Sequence, residues 1–145
     1  MLLALTELHF AFDSSKLPDD ACPSLQPVVE QAKAHPEMRV VIEGHTDPIG
    51  TNVYNTGLSI RRAEAVHTQL LMMGVEPDQI VLTYYGEDGA PRSTYQDDRR
   101  ATVYLTRDSL AQVTDTTFDA HGIAIRWEQP KTVAEIESSN PVATR

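Results

Sequence analysis

The sequence predicts an α/β fold. It reads as a two-layer α/β sandwich in βαβαββ order, with helices packed on a mixed four-stranded sheet and an extra C-terminal segment. Three observations carry this. Leu8, Phe10 and Phe12 alternate with His9, Ala11 and Asp13, the period of a half-buried strand. Leu25, Val28, Val29 and Ala32, and later Ala63, Val66, Leu70 and Met73, recur at spacings of three and four, giving two helices with one apolar face each. Short runs rich in β-branched residues, Arg39–Glu43, Ile80–Tyr85 and Ala101–Leu105, alternate with or follow those helices. Strands separated by helices of this length place the helices on one face of a mixed sheet.

Taken in order, the first strand ends in the polar stretch 13–20, which holds Pro18. The first helix opens between Cys22 and Ser24, with Ser24 as N-cap and Pro27 in the first turn, where its missing N–H is tolerated. Pro36 stops it. After the second strand, Gly44 opens a loop to about Asn55 containing Pro48 and Gly50. The longer helix covers about Leu58–Met73, with Gly74 where a C-terminal cap glycine belongs. Pro77 and Asp78 turn the chain into the third strand, and a loop over 86–98 leads to the fourth. Alternation turns only one of Tyr84 and Tyr85 outward. Beyond Thr106, Thr114–Phe118 and Ile123–Trp127 read as a hairpin joined through residues 119–122. The organisation is therefore a domain over 1–106, an extension over 107–127 and a polar, flexible tail over 128–145.

Composition excludes several classes. A length of 145 residues suits one domain with a real core. A formal net charge of −9 argues against nucleic acid as a partner. Cys22 is the only cysteine, so neither an internal disulfide nor a cysteine-based zinc site can form, and a small buried cysteine is expected. No apolar run approaches the ~20 residues that span a bilayer. The opening MLLALTELHF lacks a basic region, a long apolar core and a cleavage site. Either the protein is cytosolic, or an export or anchor segment lies outside this chain.

The segment from Gly44 to Val66 carries the chemistry. A strand ends in a loop with Thr46 and Asp47, and the chain returns to a helix whose first turns carry Leu58, Ser59 and Arg62. Asp47 and Arg62 form either a structural ion pair or a pocket with one acceptor and one forked donor. The second arrangement suits a zwitterionic amino-acid head. Asp47 accepts from the ammonium, Arg62 grips the carboxylate with two parallel N–H donors, and helix N–H groups near Leu58 add to it. Diaminopimelate in peptidoglycan presents such a head at its side-chain end. Arg62→Ala and Asp47→Ala are each expected to abolish binding with the fold intact. His45 and Asp47 lack a third metal ligand, and His45 is read as shaping the loop. Ser59 has no nucleophile-elbow context and no catalytic carboxylate pair is evident, so neither enzymatic activity nor a metal or other cofactor is expected. Arg99 and Arg100 read either as an anion site or as a solvated strand edge. Trp127 either packs the extension onto the core or anchors a partner.

The pattern G-H-T-D, a glycine, then N-x-x-L-S-x-x-R-A is supplied by Gly44, His45, Thr46, Asp47, Gly50, Asn55, Leu58, Ser59, Arg62 and Ala63. It resembles the signature of the OmpA-like C-terminal domain family, shared by outer-membrane protein A, the peptidoglycan-associated lipoprotein and flagellar stator proteins. Phe10 and Phe12-Asp13 resemble that family's first strand, Gly86-Glu87 and Pro91 its G-E-x-x-P loop, and Arg99-Arg100 its N-R-R start of the closing strand. The resemblance covers about Glu7 to Thr106. It implies non-covalent peptidoglycan binding, with Asp47 and Arg62 holding diaminopimelate. Thr46, Asn55 and Leu58 would line the pocket, and Phe12 and Asp13 its edge. It also implies a periplasmic domain, held at the outer or inner membrane by a segment absent from this chain. An envelope protein or a second copy is a further partner. The alternative is a protein-interaction or regulatory module that uses the extension as its interface. Asp98 departs from the family's usual Asn, and Ala101 from a bulkier aliphatic residue.

Overall fold

The alternation at the N-terminus belongs to a strand that starts and ends earlier than expected. In the computed structural model, which describes residues 2–87 and 95–126, β1 runs Leu2–His9 and pairs antiparallel with the strand that closes the main domain, ending at His9↔Arg100. Leu8 and Phe10 are buried, but Phe12 is 57% exposed. The ladder stops before it: the Phe10 N–H reaches the Arg99 carbonyl, and the chain turns with Asp13 at φ 55°.

The remaining elements are α1 (Ala21–Ala34), β2 (Arg39–His45), α2 (Asn52–Met72), a 3-10 turn (Pro77–Gln79), β3 (Ile80–Gly86), a single-turn α3 (Tyr95–Asp98), β4 (Arg100–Thr106), α4 (Leu110–Asp119) and β5 (Ile123–Arg126). The strands lie in the order β1-β4-β2-β3-β5, with β2 and β3 parallel and the other pairs antiparallel. Ile42 stands opposite Val103 on one side and Leu82 on the other. These residues, with Val40, Ile80 and Leu105, meet Leu25, Val28 and Val29 of α1 and Ala63, Val66 and Leu70 of α2 in the main core.

Helix boundaries depart from the expectations for local reasons. In α1 the residue before the first turn is Asp20, whose side chain makes no cap. Ser24 is already helical, its N–H bonded to the Asp20 carbonyl, and Pro27 sits inside the helix rather than in its first turn. α2 begins at Asn52 because Thr51 caps it, its side chain accepting from the Tyr54 N–H, after a turn at Gly50 with φ +101°. Gly74, at φ +98°, follows its end as expected. Cys22 is exposed rather than buried, with Gln69 Nε2 at 3.1 Å from its sulfur.

The hairpin expected after Thr106 does not form. Among the described residues beyond Thr106, 110–119 are helix and only Ile123–Arg126 is strand, which makes the described sheet five-stranded. The threonine-rich stretch suggested a strand by composition. A capping box overrides it: Ser109 accepts from the Gln112 N–H at 3.1 Å, and the Gln112 side chain accepts from the Ser109 N–H at 2.7 Å. Leu110 and Val113 then pack on Val41, Val81 and Tyr104, side chains on the sheet face opposite α1 and α2. Among the described residues no helix is long and apolar enough to cross a membrane. Pro91, Trp127 and the tail over 128–145 lie outside the described residues.

Candidate functional site

β2 and α2 approach so closely at Gly44 that a Cβ there would stand 2.0 Å from the Ser59 carbonyl oxygen. Ser59 rivets the other side. Its hydroxyl donates to the Thr56 carbonyl at 2.8 Å and accepts from the Gly86 N–H at 3.0 Å. These contacts bring the loop after β2 against the middle of α2. Leu58, Ser59 and Arg62 therefore lie beyond the first turn, where backbone N–H groups belong to the helix ladder. Free helix N–H donors near Leu58, expected from the sequence, are not part of the site.

A recess opens at this junction, lined by Phe12, Asp13, Asp47, Ile49, Tyr54, Asn55, Leu58 and Arg62. Its enclosed volume is about 20 Å³, room for one group the size of water or ammonium. Every residue named from the sequence lines it except Thr46. The Thr46 N–H bonds the Gly86 carbonyl, and its buried hydroxyl has no hydrogen-bond partner among the described residues.

Arg62 is fully buried. Nε donates to the Ser14 carbonyl at 2.9 Å, Nη1 to the His45 carbonyl at 2.9 Å and Nη2 to the Ala11 carbonyl at 3.3 Å. The guanidinium also lies 5.1 Å from the centre of the Phe10 ring. Burial pushes its pKa down to about 10, opposed by Asp47 and reinforced by Arg99, so it stays charged at neutral pH. The free fork expected from the sequence is largely committed. Of five N–H donors, three hold backbone and two have no hydrogen-bond partner among the described residues.

Asp47 is 4% exposed. One carboxylate oxygen accepts from the Ile49 N–H at 3.0 Å, and the other lies 3.4 Å from Nη1 of Arg99. Its ion-pair partner is thus Arg99 rather than Arg62. Arg99 is anchored in turn by Nε donating to the Phe10 carbonyl at 3.1 Å. Asn55 holds the loop from the helix side, donating to the Asp47 carbonyl at 3.3 Å and the Glu87 carboxylate at 3.1 Å. The Tyr54 hydroxyl donates to the Asp13 carboxylate, so the two close the rim together.

Sequence reasoning missed Ile49 and Tyr54, and left Arg99 open between an anion site and a solvated strand edge. Arg99-Arg100 was noted as a pair, and strand alternation separates the two. Arg99 turns to Asp47, while Arg100 is 3% exposed and lies 3.9 Å from both Glu7 and Asp98. Since β4 is interior to the sheet, the solvated-edge reading of Arg100 is overturned. Tyr84 is half-buried and Tyr85 buried. Among the described residues no three His, Cys, Asp or Glu side chains are grouped to hold a metal ion.

A buried carboxylate paired with Arg99, sharing one recess with Arg62 at the end of a mixed sheet, is the polar site of this small α/β domain. Comparison with known proteins places it more closely: residues 9–103 match the OmpA family, and the chain belongs to that family. It is 42% identical over 98 residues to the peptidoglycan-associated lipoprotein of Pseudomonas putida, covering 68% of this chain and 58% of that one. It is 37% identical over 82 residues to outer membrane porin F of Pseudomonas aeruginosa, covering 56% of this chain and 23% of that one. The crystal structure of the peptidoglycan-associated lipoprotein from Burkholderia pseudomallei superposes with a TM-score of 0.64 at 31% identity, over 70% of this chain and 90% of that one. The chain spans little more than half the length of the curated lipoprotein from Pseudomonas putida.

Proposed function

We propose that this domain binds peptidoglycan non-covalently through the diaminopimelate residue of the stem peptide, and so tethers a cell-envelope protein to the wall. The observation that carries the reading is the Asp47 carboxylate, buried at the recess with Arg99 beside it and Arg62 on the adjoining wall. The ligand ammonium takes the place of Arg99 at Asp47, as one cation replacing another. The ligand carboxylate meets the released Arg99 and the two uncommitted N–H groups of Arg62. Phe12, Ile49, Tyr54 and Leu58 supply apolar wall for the aliphatic stem. Family membership and the names of the relatives support peptidoglycan as the target, at that coarser level. Residues 1–106 form the wall-binding unit in this reading. The domain works in the periplasm, held at a membrane by a segment outside this chain, alone or as a homodimer.

Using the module instead as a protein-interaction surface draws on exposed Phe118 and Ile123, 73% and 48% accessible, beside a groove in the extension. Two exposed apolar residues are common on any surface, so wall binding is preferred.

Co-sedimentation with purified sacculi tests the proposal. The domain is expected to pellet with diaminopimelate-type walls and to be released by free diaminopimelate. Lysine-type walls lack the second carboxylate and are expected to bind about ten-fold or more weakly. Equal binding to both wall types contradicts the proposal.

A further inference from the structure

We propose that the α4–β5 segment braces the binding site from the opposite face of the sheet, with Tyr85 and His45 as positioning residues. The inference rests on the binding role proposed above for Arg62 and gives a purpose to residues beyond the family match. The contacts form one continuous chain. A Cβ at Gly122 would stand 2.6 Å from Cε2 of Tyr85 and 2.8 Å from Cδ2 and Cζ, so the backbone between α4 and β5 lies directly on that ring. Thr117 of α4, itself 2% exposed, lies beside the Tyr85 hydroxyl. The Tyr85 ring stacks on His45, centroids 4.6 Å apart and planes 10° from parallel. His45 is 3% exposed and its Nε2 is 3.1 Å from the Glu43 carboxylate, so the ring is held from two sides. The carbonyl of that same His45 takes the Nη1 bond of Arg62, and Asp47 follows two residues later.

The strand end that presents His45, Thr46 and Asp47 has its ladder bond to β3 shifted at Gly44/His45. Pairing resumes there as His45↔Gly86, with the Thr46 N–H on the Gly86 carbonyl, and side-chain packing adds a second hold on this irregular backbone. His45 is clamped from the far face by Tyr85, and Tyr85 is clamped by the extension. Movement of the Gly122 segment is therefore transmitted to the carbonyl that orients the site arginine. Couplings of this kind through packed side chains amount to several-fold changes in affinity.

The test uses the whole chain with three substitutions. Gly122→Ala pushes a methyl into the Tyr85 ring, Tyr85→Leu removes the stack, and Tyr85→Phe keeps it. In the ligand-free protein, exchange of the Arg62 Nη1 proton held by the His45 carbonyl is expected to speed up about ten-fold in Gly122→Ala and Tyr85→Leu, and less than two-fold in Tyr85→Phe. Affinity for a soluble diaminopimelate muropeptide is expected to fall about five- to ten-fold in the first two and to hold within two-fold in the third. Amide signals of Thr117, His121 and Gly122 in the unmodified protein are expected to shift as the muropeptide saturates. Unchanged Arg62 exchange in Gly122→Ala and Tyr85→Leu overturns the brace. If the muropeptide fails to bind the unmodified protein, the binding role fails instead, and the ligand-free exchange still decides the brace.

Discussion

Arg62→Ala is expected to lower the free energy of unfolding by about 3–5 kcal/mol, as well as to remove ligand binding. The guanidinium is fully buried and ties α2 to the turn at Ala11–Ser14 and to the end of β2 through the carbonyls of Ala11, Ser14 and His45. Alanine takes a donor from each of three carbonyls, of which Ala11 keeps the Ser14 N–H, and leaves a cavity where the side chain stood. Each lost partner costs about 1–3 kcal/mol, and water entering from the recess restores part of it. The melting temperature should drop by roughly 10–20 °C for a domain of this size. Arg62→Lys keeps the charge but offers a compact donor group in place of the fork, so it recovers only part of the loss. Urea unfolding of the three proteins measures this. A loss below 1 kcal/mol in Arg62→Ala would show that the three carbonyl bonds are unimportant. The expectation from the sequence, binding lost with the fold intact, is thus replaced for this residue. Lost binding in Arg62→Ala does not by itself identify a ligand contact.

Gly44→Ala is the second large effect. A methyl at this position meets the Ser59 carbonyl oxygen at 2.0 Å and its carbon at 2.9 Å. Both obstacles are backbone, one in a strand and one in a helix, so neither yields by a rotamer change. The helix must lift from the sheet, which opens the packing of Ala63 and Val66 and pulls α2 away from the Asp47 loop. A cost of about 3 kcal/mol or more is expected, at the upper end for overpacking. Gly57→Ala is the control: its Cβ meets only the end of the Arg61 side chain, at 3.3 Å. Alanine in place of a helical glycine should stabilise by about 0.5–1 kcal/mol. Thermal melts of both proteins decide it. A Gly44→Ala melting temperature within 2 °C of the parent contradicts the close approach.

Much of this was legible in the sequence wherever one signal dominated. The helical spacing of Leu25, Val28, Val29 and Ala32 and of Ala63, Val66 and Leu70 identified both main helices and their buried faces. The motif gathered every pocket residue it named except Thr46. What escaped were features set by long-range partners. Phe12 continued the alternation of β1 but lies past the last paired residue, because pairing with β4 ends at Arg100. The stretch 114–118 looked like strand by its β-branched residues, yet Ser109 and Gln112 already spelled a capping box three residues apart. Arg99 carried no local mark that separated it from Arg100. Only the position where β4 begins sends one to Asp47 and the other to Glu7 and Asp98. The commitment of Arg62 to three carbonyls was likewise invisible, since its partners are 17 to 51 positions away.

The central claim is that Asp47 receives the ammonium of the ligand, and Asp47→Asn tests it most directly. Asparagine keeps the size and the acceptor for the Ile49 N–H, and removes the negative charge. Loss of that charge leaves Arg62 and Arg99 less compensated, at a cost of about 1–2 kcal/mol, well short of the cost of Arg62→Ala. Calorimetric titration with a diaminopimelate muropeptide, at a temperature where both proteins are folded, should show affinity at least 30-fold weaker in Asp47→Asn, roughly 2 kcal/mol. Affinity within three-fold of the parent would contradict the proposed role of Asp47.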